Sequence, residues 1–178
     1  MSRELFRTRV RVALARPETG SLAACFPAPL VTALVVDACE SEGLQLVALD
    51  EVVGALAHVG VPRGRQFVLV GGDAAGPLAA GRAAVLHARL GVPVLVHDPA
   101  GAGFVAGRLA DGTVIEFDDE LREAEAIITV GEWSASNDGP RGGAALLCPG
   151  VACAATREAY AAVRARDPAA AWAFALAA

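Results

Sequence analysis

The sequence lacks the long apolar runs and the basic surplus of proteins that enter membranes or bind nucleic acid. No apolar run reaches the roughly 18 residues that span a bilayer. Its 20 acidic residues outnumber its 15 basic ones and leave a net charge of −5, which disfavours nucleic acid and anionic membranes as partners. The stretch from Met1 to Ala15 is basic, but no apolar segment with a cleavage site follows it. We therefore expect a cytoplasmic protein.

Common catalytic and metal-binding motifs are also missing. The sequence contains neither Gly-x-Ser-x-Gly nor His-Glu-x-x-His. No Cys-x-x-Cys pair or cysteine–histidine cluster suggests a zinc or redox site. We interpret the cysteines as small buried hydrophobic residues, and redox or metal chemistry by one pair is the alternative. They are Cys25, Cys39, Cys148 and Cys153.

Apolar residues, in contrast, are abundant. They make up 54% of the sequence, against a usual share of about 45–50%. Such a surplus suits a parallel sheet that is covered on both faces, because its strands are continuous apolar runs. The 178 residues are enough for one sizeable core, so we predict a single domain over residues 1–178.

Apolar periodicity and turn residues predict alternating strands and helices. Strands are expected at 9–15, 45–49, 66–70, 92–97 and 126–130, with a hairpin over 108–117 around Asp111-Gly112. Helices are expected at 30–43, 50–59, 78–90, 118–125, 152–166 and 169–178. This alternation predicts an α/β fold, a Rossmann-like three-layer domain with a mainly parallel sheet.

The stretch from Leu121 to Gly150 organises the rest of the chain. Its apolar strand, Ala126–Val130, leads into a polar loop that ends at Gly142-Gly143. Ligands of parallel sheets bind beyond the carboxyl ends of the strands. We therefore expect a ligand site among three loops, at 71–77, 97–103 and 131–143.

The first of these loops is rich in glycine. Gly72 and Asp73 follow a buried strand, and a helix is expected to begin near Leu78. Backbone N–H groups in such a loop can bind an anion, and the helix dipole adds to their effect. The sequence Gly-Gly-Asp-Ala-Ala-Gly matches neither the dinucleotide fingerprint nor the P-loop. A tight strand-to-helix turn is the alternative.

Charged residues near the loops are candidate catalytic and binding groups. His97 and Asp98 end a strand and could act as base and orienting group, or as metal ligands; a histidine that is hydrogen-bonded at a turn is the alternative. Asp138 and Arg141 could bind a carboxylate or phosphate substrate, and a solvated ion pair is the alternative. Arg16 allows the same two interpretations.

The central stretch resembles the N-terminal domain of the nickel-dependent lactate racemase family. That family has E-A-D-x-I-I-T-V-G, then S-G-G-A-K and then P-G-V-A; here the matching residues are EAEAIITVG at 123–131, RGGAA at 141–145 and PGVA at 149–152. Looser matches extend the resemblance over most of the chain after Arg9, including His97-Asp98-Pro99 for the family's H-D-P. The resemblance implies the family's Rossmann-like fold.

The resemblance also implies that residues required for the family's chemistry are replaced in this sequence. The lysine that tethers the nickel-pincer cofactor falls on Ala145. The two proton-exchanging histidines fall near Ala75 and near Ala135 or Ser136, and the arginine after the first histidine falls on Gly76. The second domain, with its nickel-binding histidine, has no counterpart here. Because alanine forms no covalent link and transfers no proton, we expect no nickel-pincer cofactor.

Three hypotheses for the function remain. The first is a non-catalytic racemase-like domain, which either binds a small anionic molecule or serves as a subunit beside a complete racemase-like partner. In this hypothesis Arg16 or Phe26 takes the place of the family's substrate-binding arginine. The second is a structural homo-oligomer, suggested by Trp172 and Phe174 in an Ala-rich helix. The third is an enzyme that acts on a hydroxy acid or other anionic metabolite through a rearranged set of residues: Asp73, His97, Asp98, Asp138 and Arg141.

Overall fold

The structure, a computed structural model, is a three-layer α/β arrangement. It describes residues 2–14, 30–37, 42–71, 77–131, 134–136 and 139–177. Helices flank a four-stranded parallel sheet, and two short antiparallel pairs of strands accompany it. The predicted Rossmann-like fold class is confirmed.

The elements alternate along the chain. The helices are α1 (Arg3–Leu14), α2 (Glu42–His58), α3 (Pro77–Leu90), α4 (Ala154–Arg166) and α5 (Pro168–Ala177). The strands are β1 (Thr32–Asp37), β2 (Gln66–Gly71), β3 (Val94–Val96), β4 (Gly103–Arg108), β5 (Val114–Asp118), β6 (Ala126–Thr129), β7 (Ser134–Ser136) and β8 (Gly139–Arg141). Short 3-10 turns lie at Arg63–Arg65, Asp119–Leu121 and Gly143–Leu146.

The sheet is built around β1. The strand order is β3–β2–β1–β6, and every neighbouring pair is parallel. Ala33 and Val35 pack into the core cluster under α4 and α5, whereas Leu34 and Val36 pack into the cluster under α2 and α3. The chain places β2 and β3 on one side of β1 and β6 on the other. The carboxyl ends of β1 and β6 therefore form the topological switch point, where such sheets bind ligands.

The predicted helix over 30–43 is wrong, because residues 32–37 form the central strand. A short apolar run that is buried on both faces shows neither helical nor alternating periodicity. Its β-branched residues, Thr32, Val35 and Val36, favour the extended conformation. Positions 38–41 lie outside the described residues.

The predicted strand over 9–15 is also wrong, because residues up to Leu14 belong to α1; position 15 is not described. The alternation of arginine and apolar residues suggested a strand. The same segment also contains a four-residue repeat of arginine, at Arg3, Arg7 and Arg11. This repeat aligns the three side chains on one face of a helix, and the helix is what forms.

The predicted strand over 45–49 is wrong for a related reason. Residues 45–49 lie inside α2, which begins at Glu42 and not at Asp50. Gln45, Leu49 and Val52 are buried at helical spacing, so one face of α2 packs on the sheet along its whole length.

The predicted strands over 66–70, 92–97 and 126–130 and the predicted helices over 50–59, 78–90, 152–166 and 169–178 are confirmed with shifted ends. The hairpin predicted over 108–117 turns at Gly112 as expected, where φ is 90°, but its first strand, β4, begins earlier, at Gly103. The expected acidic helix over 118–125 is only the 3-10 turn Asp119–Leu121. No helix among the described residues is long and apolar enough to cross a membrane.

Ion pairs hold α1 on the outside of α2. Arg7 lies 3.1 Å from Asp50 and 3.1 Å from Glu51, and Arg11 lies 2.6 Å from Glu51. The hydrogen bond and charge of Glu51 raise the pKa of Arg11 above its ordinary value. No residue of α1 is fully buried, and Leu14 packs against the core cluster under α2 and α3, so ion pairs and partial apolar packing together position the helix.

Leu34→Ala tests the central position of β1. Leu34 is fully buried, so the substitution should lower the free energy of unfolding by about 2–5 kcal/mol through the cavity it leaves. Val85→Ala is the matched control, because Val85 is 61% exposed on α3, and it should cost less than about 0.5 kcal/mol. Urea denaturation measures both variants, and equal losses would contradict this description of the core.

Candidate functional site

The carboxyl ends of β1 and β6 are joined by a side chain from α2. Gln45 is 5% exposed, and its Nε2 donates to Asp37 Oδ1 at 2.8 Å and to the Val130 carbonyl oxygen at 3.1 Å. Arg82 of α3 donates to Gln45 Oε1. The Val130 carbonyl can only accept and the guanidinium can only donate, which fixes the orientation of the amide. This Asp37–Gln45–Arg82 network therefore connects four elements at the switch point.

None of these three network residues was a candidate from the sequence. Asp37 fell in a predicted helix and Gln45 in a predicted strand, so no common location was visible. One available signal was a carboxylate at the end of a buried apolar run, as in Leu34-Val35-Val36-Asp37. Such a residue stands at the carboxyl end of a central strand, where α/β proteins bind ligands.

A glycine turn lies beside the network. Gly142 and Gly143 have φ values of 82° and 55°, in the left-handed region that strains any residue with a Cβ. They lead into the turn Gly143–Leu146, which packs at the ends of β1 and β6. A Cβ placed on Gly131 would lie 2.8 Å from Leu146 Cδ1 and 3.7 Å from Asp37 Oδ1. The structure thus brings Gly142 and Gly143 to the switch point.

The chain after this turn reaches the end of β2. A Cβ on Gly71 would lie 2.7 Å from the Gly150 carbonyl oxygen and 2.7 Å from Val151 Cγ1. This close approach requires glycine at the end of β2, because a side chain there would meet backbone. The stretch 142–151 therefore lies along the carboxyl ends of three neighbouring strands.

His97 lies at the end of β3 and is buried. Its ring is 2.5 Å from Asp118 Oδ2 through Nδ1 and 3.0 Å from the Ala152 carbonyl oxygen through Nε2. Asp118 also accepts a hydrogen bond from the Glu120 N–H at 3.0 Å. Both ring nitrogens are engaged and the side chain does not reach solvent, whereas a general base must reach its substrate. His97 thus clamps β3 to β5 and to the start of α4.

Asp98 points away from this clamp. It is exposed, and its Oδ1 accepts from the Ala100 N–H at 3.0 Å while its carbonyl accepts from the Gly101 N–H at 2.9 Å. The carboxylate that orients His97 is Asp118 and not Asp98. The clamp also lies two strands away from β1, about 10 Å at the usual strand spacing.

The other predicted site residues lie either outside the described residues or in β8. The four that lie outside are Arg16, Gly72, Asp73 and Asp138. The backbone of Arg141 ends β8 and pairs with Ser134 of β7, immediately before the glycine turn. These five assignments remain predictions.

Two cysteines are buried free thiols, as predicted. They are Cys148 and Cys153, while Cys25 and Cys39 are not described. Burial raises the pKa of Cys148 to about 11, which keeps the thiol protonated and unreactive near neutral pH. In the described part of the chain, no group of three or more His, Cys, Asp or Glu side chains could hold a metal ion.

The fold is that of a Rossmann-like α/β domain. Among solved structures it is similar to the lactate racemase apoprotein from Thermoanaerobacterium thermosaccharolyticum, with a TM-score of 0.57 and 17% sequence identity over 83% of this chain. The chain spans 37% of the length of that protein. The likeness establishes the fold. No family model matches the sequence, and no curated protein matches it.

Gln45→Leu tests the network at the switch point. The substitution keeps the volume but removes the donor to Asp37 and Val130 and the acceptor of Arg82, so the free energy of unfolding should fall by about 1–3 kcal/mol. Leu44→Ala, at a half-exposed neighbour on α2, should change it far less. Denaturant unfolding provides the comparison. A Gln45→Leu variant as stable as the unsubstituted chain would show that these hydrogen bonds do not secure the sheet edge.

The raised pKa of the buried Cys148 thiol predicts that the protein loses stability at alkaline pH. An unperturbed thiol titrates near 9.0 and the folded one near 11, so below pH 9 both states keep the proton and this contribution is constant. Above pH 9 only the unfolded thiol ionises, which favours unfolding by roughly 1–2 kcal/mol at pH 10.5. Urea titrations from pH 8 to 10.5 should therefore show a smaller loss for Cys148→Ala than for the unsubstituted chain. Parallel losses in the two proteins would refute this assignment.

Proposed function

We propose that this chain is a non-catalytic racemase-like domain that binds a small anionic molecule at the carboxyl edge of its sheet. The observation that carries the proposal is the Asp37–Gln45–Arg82 network beside the glycine turn at the switch point. Ligands of open α/β sheets bind at that position. Burying a polar network at this position costs free energy, and a role in ligand binding accounts for that cost.

The chemistry of the network suits a small hydroxy or oxo acid. Arg82 supplies a guanidinium, whose planar donors match the carboxylate of such an acid. Asp37 has its Oδ1 bound to Gln45, and its second carboxylate oxygen can accept a hydrogen bond from a ligand hydroxyl group. Arg141, which precedes the glycine turn, is the proposed second anchor for the negative charge.

The nickel-pincer chemistry of the racemases does not fit these residues. All 15 basic residues are arginine, so the chain contains no lysine that could tether the cofactor. The resemblance places that lysine at Ala145, a partly exposed methyl group in the 143–146 turn. The positions matched to the proton-exchanging histidines, near Ala75 and Ala135, likewise carry no titratable group. We therefore propose binding without racemisation by this route.

The other two hypotheses receive less support. Phe174 packs edge-on against Tyr160 inside the chain, with ring centroids 5.9 Å apart, so it offers no surface to a homo-oligomer. An enzyme with rearranged residues would need a reachable base, and His97 is enclosed by Asp118 and Ala152. A complete racemase-like partner protein remains compatible with the proposal, because a binding domain can present its ligand to such a partner.

Calorimetric titration tests the binding with two variants of the same helix. Wild-type protein is titrated with the monoanions lactate and pyruvate, and Arg82→Met should weaken the binding of the preferred acid about tenfold or more, as loss of a charged hydrogen-bond donor does. Arg89→Met, two helical turns away on α3, is the matched control and should bind as the wild type does. Absence of binding to both acids, or equal binding by both variants, would contradict the proposal.

Proton exchange tests the non-catalytic part. Incubated in D₂O with either lactate enantiomer, the protein should leave the Cα proton unexchanged and form none of the other enantiomer, because no histidine or tethered cofactor is available at the site. Proton NMR and chiral chromatography provide the two measurements. Incorporation of deuterium at Cα, above that of a heat-denatured sample, would show that the chain is an enzyme.

A further inference from the structure

A second candidate site is lined mainly by α1 and α2, and none of its lining residues belongs to the Asp37–Gln45–Arg82 network. A cavity of about 230 Å³ opens there, several times the roughly 30 Å³ that one water molecule occupies. Its charged lining consists of three arginines and two acids, a surplus of one positive charge in a chain whose net charge is −5. The lining residues are Arg3, Glu4, Arg7, Gly43, Leu46, Val47, Asp50 and Arg89. The proposed function uses none of them.

The arginines of this cavity differ in their pairing. Arg7 is neutralised by Asp50 and Glu51 at 3.1 Å each. Arg3 and Arg89 form no hydrogen bond or ion pair with any residue in the described ranges. Two guanidinium groups from different helices therefore line one cavity, and no carboxylate among the described side chains is bound to either of them. Both side chains are exposed, so both guanidinium groups are accessible to an anion from solution.

Gly43 provides the room for one of these groups. A Cβ on Gly43 would lie 3.0 Å from Arg3 Nη2, tighter than an ordinary contact, so the guanidinium of Arg3 lies directly against the backbone of α2. A side chain at position 43 would displace it. The position of Arg3 in the cavity thus depends on a residue without a side chain.

We propose that this cavity binds a compact dianion, namely a phosphate group, through Arg3 and Arg89. Two positive charges match the two negative charges of a phosphate or phosphate monoester, and the planar donors of arginine match its oxygens. Leu46 and Val47 add an apolar wall, against which a small organic substituent can pack. The lining residues differ from those of the Asp37–Gln45–Arg82 network, so either site can exist without the other.

Calorimetry at constant ionic strength tests the proposal with inorganic phosphate, glycerol phosphate and chloride as probes. Both phosphates should bind and chloride should not; tighter binding of glycerol phosphate would identify a phosphorylated small molecule as the ligand, and equal binding would identify the free ion. Arg3→Met and Arg89→Met should each weaken phosphate binding about tenfold. Arg82→Met, which disrupts the carboxyl edge, should leave phosphate binding unchanged.

Gly43→Ala separates binding from folding. The added methyl group meets only the flexible end of Arg3, so the melting temperature should not fall, while phosphate binding should weaken at least threefold. Phosphate that binds no better than chloride would overturn the proposal. So would Arg89→Met protein, with an unchanged melting temperature, that binds phosphate as the wild type does.

Discussion

The hydrogen bonds of one glutamine amide hold together the sheet edge on which the rest of the structure depends. Parallel strands end in carbonyl groups and loops that need donors, and an unpaired buried group costs about 1–3 kcal/mol. Gln45 supplies donors to β1 and β6 from α2, and its own carbonyl oxygen is bound by α3. The glycine turn at Gly142 can pack there because these strand ends are fixed.

The fold class and most elements could be predicted from the sequence, since short apolar runs and glycine turns mark strands and their ends. The exceptions have a common cause. The central strand β1 and the start of α2 are apolar on more than one side, so local periodicity does not distinguish a strand from a helix. In α1 the error arose from arginines whose partners, Asp50 and Glu51, lie about 40 residues away in sequence.

The candidate site was less predictable than the fold. Sequence reasoning directed attention to Gly142 and Gly143, and the structure places both at the carboxyl edge; their role in binding stays a prediction. It could not find Gln45, because a buried glutamine is identified only by the partners that tertiary structure brings to it. For the same reason His97 was a candidate base, although Asp118 and Ala152 enclose it. The absence of lysine is a property of the sequence alone, and the proposal that this chain does not hold the tethered cofactor of the racemases depends on it.

The resonances of the Gln45 side-chain amide offer the most direct test of this account. Nitrogen-15 NMR should show both Nε2 protons protected from solvent exchange in the free protein, because each donates to an acceptor at the switch point. Saturation with the preferred small acid should shift them together with the amides of Gly131 and Gly142. Rapidly exchanging Nε2 protons, or ligand shifts confined to regions away from the carboxyl ends of β1 and β6, would contradict the central claim.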